Sequence, residues 1–240
     1  GIPTVRDRVV QQALRRIIEP IFEPDFHPSS YGYRPGRSGH HAIGKAELFI
    51  RRYRRDWVVD MDLSKCFDTL NHDLIIRQFR QRITDGSVLS LLRQFLESGV
   101  MVGYHLEETE LGSPQGGVIS PLIANVYLDA FDQFMKARGH RIVRYADDIL
   151  ILSGSRAGAE NALRVAQSYL EDELKLTVNA TKTHIAHSDE GVKFLGVVIH
   201  SKYTRIQGKK VVRLKQKLKS LTKRNRGIGL AAIIRELNPV

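Results

Sequence analysis

The chain has 240 residues, enough for one large or two small domains with a proper core, and 42% hydrophobic content with mixed charges is that of a folded protein rather than a disordered one. No apolar run approaches the ~18 residues a membrane helix needs, no signal-peptide pattern opens the chain, and Gly1 without a Met before it reads as a piece of a longer protein. A lone cysteine, Cys66, excludes an intramolecular disulfide and suits a reducing, intracellular setting.

The net charge of +11 is unevenly placed. Residues 201–226 hold eleven Lys and Arg and no acid; of the chain's 37 bases this leaves 26, matched by 26 acids elsewhere. Such a concentrated field suits a polyanion, most directly a nucleic acid backbone, with a basic solubilising tail as the alternative. A shorter cluster, Arg51-Arg52-Tyr53-Arg54-Arg55, mixes bases with an aromatic and hints weakly at the same partner.

In chain order, Thr4 and Asp7 sit as N-cap and N3 of a first helix, close to a capping box, and Val9, Val10, Ala13, Leu14, Ile17, Ile18 and Ile21 keep helical spacing up to stops at Pro20 and Pro24. Ser29–Ser38 is a loop, ordered if Tyr31 and Tyr33 pack, in which Arg34 and Arg37 either reach phosphate or template or are ordinary surface arginines. Residues 39–55 look helical and amphipathic. Trp57–Leu63 has strand composition, with Asp60 and Asp62 on one face. Helical patterns follow at Leu74–Ile83 and Val88–Leu96 across the Asp85-Gly86 turn. Leu111–Ser120, with three glycines and a proline, is a loop whose backbone comes close to something. Ser120 and Pro121 then read as N-cap and N1 of a helix burying Leu122, Ile123, Val126, Tyr127, Ala130, Phe131, Phe134 and Met135.

Next come Ile142 to Leu152, two β-favouring runs around Asp147-Asp148, which read as a hairpin with carboxylates at its turn. Residues 156–173 are helical, 174–178 are ambiguous between helix end and strand, and short strands follow at 184–186 and 192–199, with a third β run across Lys210–Arg213 before a basic helix through Leu214, Leu218 and Leu221. This order suits an α+β domain with an antiparallel sheet.

Asp147-Asp148 alone is either a solvated turn or a site for Mg²⁺, a hard cation that prefers oxygen ligands. If the 57–63 strand pairs with the hairpin, Asp62, Asp147 and Asp148 converge on one sheet edge, a costly gathering of like charge unless divalent cations neutralise it. Two Mg²⁺ ions about 4 Å apart would activate an attacking hydroxyl and stabilise the leaving oxygen of an in-line phosphoryl displacement. With the glycine loop and the basic segment, the pattern is that of a template-directed polymerase.

Seven blocks carry a resemblance: GIPTVRDRVVQQAL (1–14), SSYGYRPGRS (29–38), WVVDMDLSKCFDTLNHD (57–73), LGSPQGGVISPLIANVYLD (111–129), RYADD (144–148), LKLTVNATKT (174–183) and VKFLGVVI (192–199). In this order and wording the sequence resembles the reverse transcriptase domain encoded by group II introns, the intron-encoded maturases. The resemblance implies a right-hand polymerase: fingers mainly in 1–56 and 74–110, an antiparallel palm sheet flanked by helices mainly in 57–73 and 111–205, and the start of a basic, truncated thumb in 206–240. It implies that Asp62, Asp147 and Asp148 are the metal-binding aspartates, with the Leu63 carbonyl as a further ligand and Asp60 left as a structural or solvated acid. Phe67 matches the bulky residue under the sugar that excludes a 2′-hydroxyl. Gln115 matches a glutamine beside the incoming nucleotide, and Lys182 a lysine near its triphosphate that protonates the leaving pyrophosphate. Arg34, Arg37, Lys215, Lys219 and Lys223 are the expected nucleic-acid contacts. The implied partners are intron and template RNA, a DNA primer and dNTPs, with no membrane, in a bacterial-type cytoplasm; the helices at 72–98 could also offer a self-association surface. Basic residues that the family carries upstream of Gly1, and most of its thumb, lie outside this sequence, so the chain alone is expected to polymerise poorly or not at all. A non-catalytic RNA-binding splicing cofactor, or another bacterial, retron-like reverse transcriptase, is the alternative.

Overall fold

The computed structural model describes residues 3–98, 100–102, 105–107, 111–113, 117–223, 225, 227 and 229–238. Thr4 caps helix α1 (Val5–Phe22), and the Thr4 hydroxyl and Asp7 carboxylate satisfy each other's backbone N–H groups in a full capping box. Pro20 does not stop this helix; it lies inside it, and α1 runs on to Phe22, just short of Pro24. Helix α2 (Gly39–Arg51) starts at the Ser38 cap and leads into strand β1 (Trp57–Met61). Helices α3 (His72–Arg80) and α4 (Gly86–Glu97) start at the Asn71 and Asp85 caps and are followed by a small hairpin of β2 (Val100–Val102) and β3 (His105–Glu107).

Helix α5 (Ser120–Ala137) has Ile119, not Ser120, as its N-cap. It is buried well beyond the expected stripe, with the polar Asn125 and Asp132 shut in as well as the apolar residues. Strands β4 (Arg141–Tyr145) and β5 (Asp148–Ser153) form the expected hairpin. Helix α6 (Arg156–Ser168) ends in a π-helical turn at Tyr169–Glu173 and leads to β6 (His184–His187). Beyond lie the short strands β7 (Val192–Phe194), β8 (Val197–Ile199) and β9 (Thr204–Ile206), then helices α7 (Gly208–Leu221) and α8 (Leu230–Leu237). The β run expected at Lys210–Arg213 is therefore helical: Val211 and Val212 share α7 with lysines, and the strand lies earlier, at β9.

The central sheet has the order β4-β5-β1-β6 and is antiparallel throughout. Side chains alternate across it. Val59 and Met61 of β1, with Ile149 and Ile151 of β5, join the larger core, shared with α1, α3, α4, α5 and α6. Val58, Val143, Leu150 and Leu152 join a second core beneath α2 and the β7–β9 sheet. The architecture is α+β, a twice-covered antiparallel sheet. Among the described residues no helix is long and apolar enough to cross a membrane.

Candidate active site

Alternation decides where the acids go. Asp60 and Asp62 follow Val58 on the α2 side of β1, and Asp148 follows Leu150 and Leu152 on the same side of β5. The β1–β5 register pairs Met61 with Ile149, so its next step sets Asp62 opposite Asp148. Tyr145 pairs with Asp148, leaving Ala146 and Asp147 as the two-residue turn, with Ala146 at φ 57°. Positive φ at the first turn position is usually given to glycine; here a non-glycine residue holds it and swings Asp147 onto the end of the sheet.

The strand end is fixed from the other side by residues 177–183. Asn179 N–H donates to the Asp62 carbonyl at 2.9 Å, Ser64 N–H to the Thr177 carbonyl at 2.9 Å, and Asp62 N–H to the Thr183 hydroxyl at 3.2 Å. Those bonds come from Asp62 and Ser64, so Leu63 between them turns its own carbonyl the opposite way, toward the β5 side, as antiparallel geometry requires. The same turn brings the Lys182 ammonium to 3.2 Å from the Asp62 carboxylate.

Four acids feel one another at this sheet end. Loss of water around the carboxyl, then the charges of Asp147, Asp60 and Asp62, push the Asp148 pKa up to about 6 against the pull of Lys182, although its outer edge is exposed. Burial raises Asp60 as well, with His184 and Lys193 opposing and Asp62 adding to the shift. Asp60, expected to be structural or solvated, is thus half-buried and electrostatically part of the cluster. The donors are all oxygens, the hard set that Mg²⁺ takes, and the mutual repulsion they carry is what a divalent cation relieves. Among the described residues, however, no three such side chains close into a finished ligand cage.

Other expected residues divide sharply. Phe67 lies in a 3₁₀ turn (Cys66–Asp68) directly after β1, half-buried against the larger core. The glycine loop does make a close backbone approach, but to this turn: Gly112 N–H donates to the Leu70 carbonyl at 2.7 Å, Ser113 N–H to the Phe67 carbonyl at 2.8 Å, and a Cβ on Gly112 would lie 2.7 Å from the Asp68 carbonyl. Gln115 lies outside the described residues. Arg34, expected to reach phosphate or template, is instead buried: its guanidinium pairs with Glu23 at 2.8 Å and donates to the carbonyls of His27 and Ser30. Nothing remains of it for a ligand. Arg37 spends one nitrogen on the Pro28 and Ser30 carbonyls and lies over the Tyr31 ring. Lys215, Lys219 and Lys223 are exposed on and just beyond α7, a helix with no buried residue.

Arg144 is the residue whose role the sequence concealed. Among the described residues it is the largest wholly buried side chain, and its guanidinium takes Asp132 of α5 in a fork at 2.7–3.0 Å. Its remaining nitrogen donates to Asn125 and to the Ala146 carbonyl, each at 3.0 Å. The turn carrying Asp147 is thereby tied to α5 by a charge-assisted network. Gly32 closes over the same turn: a Cβ there would stand 2.2 Å from the Ala146 nitrogen.

Comparison with known proteins agrees with this layout. Residues 1–199 match the family described as reverse transcriptase (RNA-dependent DNA polymerase). The chain is 38% identical over 250 residues to Protein YkfC of Escherichia coli, an alignment covering 88% of this chain and 65% of that protein. It is 28% identical over 260 residues to the group II intron-encoded protein LtrA of Lactococcus lactis, covering 82% of this chain and 43% of LtrA. It is also 33% identical over 135 residues to nuclear intron maturase 4, mitochondrial, of Arabidopsis thaliana, covering 55% of this chain and 16% of that one. The chain thus spans less than two thirds of the length of these relatives. Among solved structures, apo telomerase from Candida tropicalis, truncated from its C-terminal domain, superposes with a TM-score of 0.61 at 14% identity over 83% of this chain and 45% of its own. At that identity the likeness is one of fold.

Proposed function

Since the chain belongs to the reverse transcriptase (RNA-dependent DNA polymerase) family, with relatives named as a group II intron-encoded protein and as a nuclear intron maturase, we propose that it forms the palm and much of the fingers of an enzyme that extends a DNA primer with dNTPs on an RNA template. The observation that carries the reading is the β1–β5 register, which sets Asp62 opposite Asp148 with Asp147 in the adjoining turn. Asp62, Asp147, Asp148 and the Leu63 carbonyl would hold Mg²⁺. When bound, the two ions supply an activated primer 3′-hydroxyl and charge stabilisation at the α-phosphate and leaving pyrophosphate.

The chain's own residues do the rest. The Arg144–Asp132 network and Gly32 keep the Asp147 turn in place, so the carboxylates need not reorganise as substrate binds. Lys182, whose ammonium pairs with Asp62 at 3.2 Å and so stands beside the proposed metal site, would transfer its proton to the leaving pyrophosphate. Phe67 stacks beneath the sugar and rejects a 2′-hydroxyl by bulk, and Gln115 contacts the incoming nucleotide.

The test is RNA-templated primer extension by the full-length protein carrying Asp147→Ala and Asp148→Ala. We expect extension to fall at least 1,000-fold, in the range seen when a transition-state charge stabiliser is removed; extension surviving the pair would refute the metal-site assignment. The exposed basic helix α7 favours a second, compatible activity, the holding of folded intron RNA during splicing. Intron binding and splicing retained in the same double variant would place the two activities on separable surfaces.

A further inference from the structure

At the end of β4 remote from the aspartates lies a cavity of about 300 Å³ that the polymerase reading does not use. It opens between α2, the end of α5 and the first residues of β4. Arg141, in its lining, begins β4 and Tyr145 ends it, so four strand steps, roughly 13 Å, separate Arg141 from the start of the Asp147 turn.

The lining is one-sided in charge. Lys45, Arg55, Lys136 and Arg141 face it, with His27 and His140, and no Asp or Glu lines it. Among the described residues none of the four cations has a carboxylate within ion-pair distance; Lys45 is half-buried, and Arg55, Lys136 and Arg141 stand at the exposed rim of the cavity. Gathering four unpaired cations around a pocket costs self-repulsion that an anion removes. Lys136, near the C-terminal end of α5, has a helix-dipole reason to be there; Lys45, Arg55 and Arg141 have none.

Two further features narrow the anion. His27 is buried, and its Nδ1 accepts the Ser29 N–H at 3.1 Å, which leaves Nε2 as the donor of a neutral ring. Burial, with Lys136, Arg144 and Lys45 adding to it and Asp132 opposing, holds that imidazole below its usual pKa, and burial with Arg138 does the same for His140. Aromatic surface is also present: Phe49 forms the floor under the Lys45 ammonium, 4.9 Å from its ring, and Tyr53 stands 56% exposed beside it, ring centroids 6.1 Å apart. The Arg51–Arg55 run is thus divided by the fold. Arg51 turns away to Glu47 and Thr204, while Tyr53 and Arg55 turn to the cavity.

We propose that this cavity binds a phosphorylated nucleotide, its phosphate among Lys45, Arg55, Lys136 and Arg141 and its base stacked on Tyr53, as a contact separate from the polymerase centre. The volume is at the lower end of small-ligand sites and suits one nucleotide rather than a duplex. Stacking on an exposed aromatic beside a basic groove is how single strands are held without base readout.

The experiment uses the full-length protein with two probes, AMP and a single-stranded octaribonucleotide carrying one 4-thiouridine, across a salt series. We expect the paired change Lys136→Gln with Arg141→Gln to weaken the probe that binds by about tenfold or more and to lower the oligomer's slope of log K against log salt by about 1.4. Tyr53→Leu should weaken binding while Tyr53→Phe does not, and the thiouridine should cross-link to residues 49–55. AMP and the oligomer both binding indicates a free-nucleotide site, and the oligomer alone indicates a strand passing through; either supports the proposal. Unchanged affinity and slope in charge variants that melt like the parent would overturn it. Inorganic phosphate competing as well as AMP, with no effect of Tyr53→Leu, would overturn the nucleotide assignment. The aspartates are untouched by these changes, so failure here leaves the polymerase reading standing, and failure of that reading leaves this one.

Discussion

Replacing Asp132 with asparagine isolates what holds the Asp147 turn. Arg144 and Asp132 are both fully shielded from water, and the carboxylate takes the guanidinium at 2.7 Å. Removing its charge leaves an arginine that cannot be neutralised by proton loss in a site water does not reach. Breaking one side of a buried pair costs about 3–5 kcal/mol. For a chain of this size each kcal/mol is about 2–4 °C of melting temperature, so Asp132→Asn should melt roughly 6–20 °C lower by circular dichroism. A drop under about 3 °C would refute the reasoning, because the pair would then be carrying no charge burden. A second variant separates stability from position. Arg144→Met with Asp132→Leu removes both charges, and such apolar replacements often restore most of the lost stability. It also removes the donor to the Ala146 carbonyl. We therefore expect melting near the parent's but primer extension by the full-length protein still at least tenfold down. Recovery of both would show that the network does not position the turn.

Three further outcomes follow from single residues. Gly32→Ala forces a Cβ to 2.2 Å from the Ala146 nitrogen and should cost about 1–3 kcal/mol, as overpacking does, in urea unfolding; an unchanged midpoint would mean that the loop yields freely. Phe67→Ala should relax sugar selection, raising ribonucleotide incorporation at least tenfold against deoxyribonucleotide in competition assays, and unchanged selection would remove Phe67 from that role. Burial pushes the Asp129 carboxyl up to about 6, with the His27 N–H bond opposing. A folded-state value above the unfolded one means that the folded form binds the extra proton, so stability falls as pH rises from about 4 to 6 and is flat beyond. Asp129→Asn should therefore gain about 1–2 kcal/mol on the parent between pH 4 and 7.5, and a difference constant across that range would refute it.

The strands of the centre were legible because they are short, unbroken β-favouring runs: Val58 and Val59 of β1 and Ile149 to Leu152 of β5 are apolar on both faces, as a doubly covered sheet requires, and acids at its end stand out against them. The pairing of those strands follows from hairpin register once both are placed. What stayed hidden was polar and buried. Asn125 and Asp132, seven residues apart on α5, share a helix face with apolar neighbours, and that spacing was the available signal; read singly, each looks like a solvated position. Arg34 failed for the same reason in reverse, since a guanidinium that satisfies loop carbonyls has the same letter as one that waits for phosphate. Val211 and Val212 misled toward a strand because β-branched residues also serve a helix when charged neighbours recur around them.

The hairpin shows why these two kinds of residue occur side by side. In β4 and the turn after it, successive side chains take opposite faces: Arg144 enters the α5 side and meets Asp132, Tyr145 faces the α2 side, and Asp148 returns to that same side on β5. One inward charge therefore secures the strand that presents outward charges. A slip of the β4–β5 pairing by a single residue would either turn Arg144 toward α2 and lose the buried pair, or carry Asp148 to the α5 side and bury a lone carboxylate there. The network that stabilises the turn also forbids the register in which the acids of β1 and β5 would miss each other, so correct pairing and an assembled acidic cluster are a single structural event rather than two.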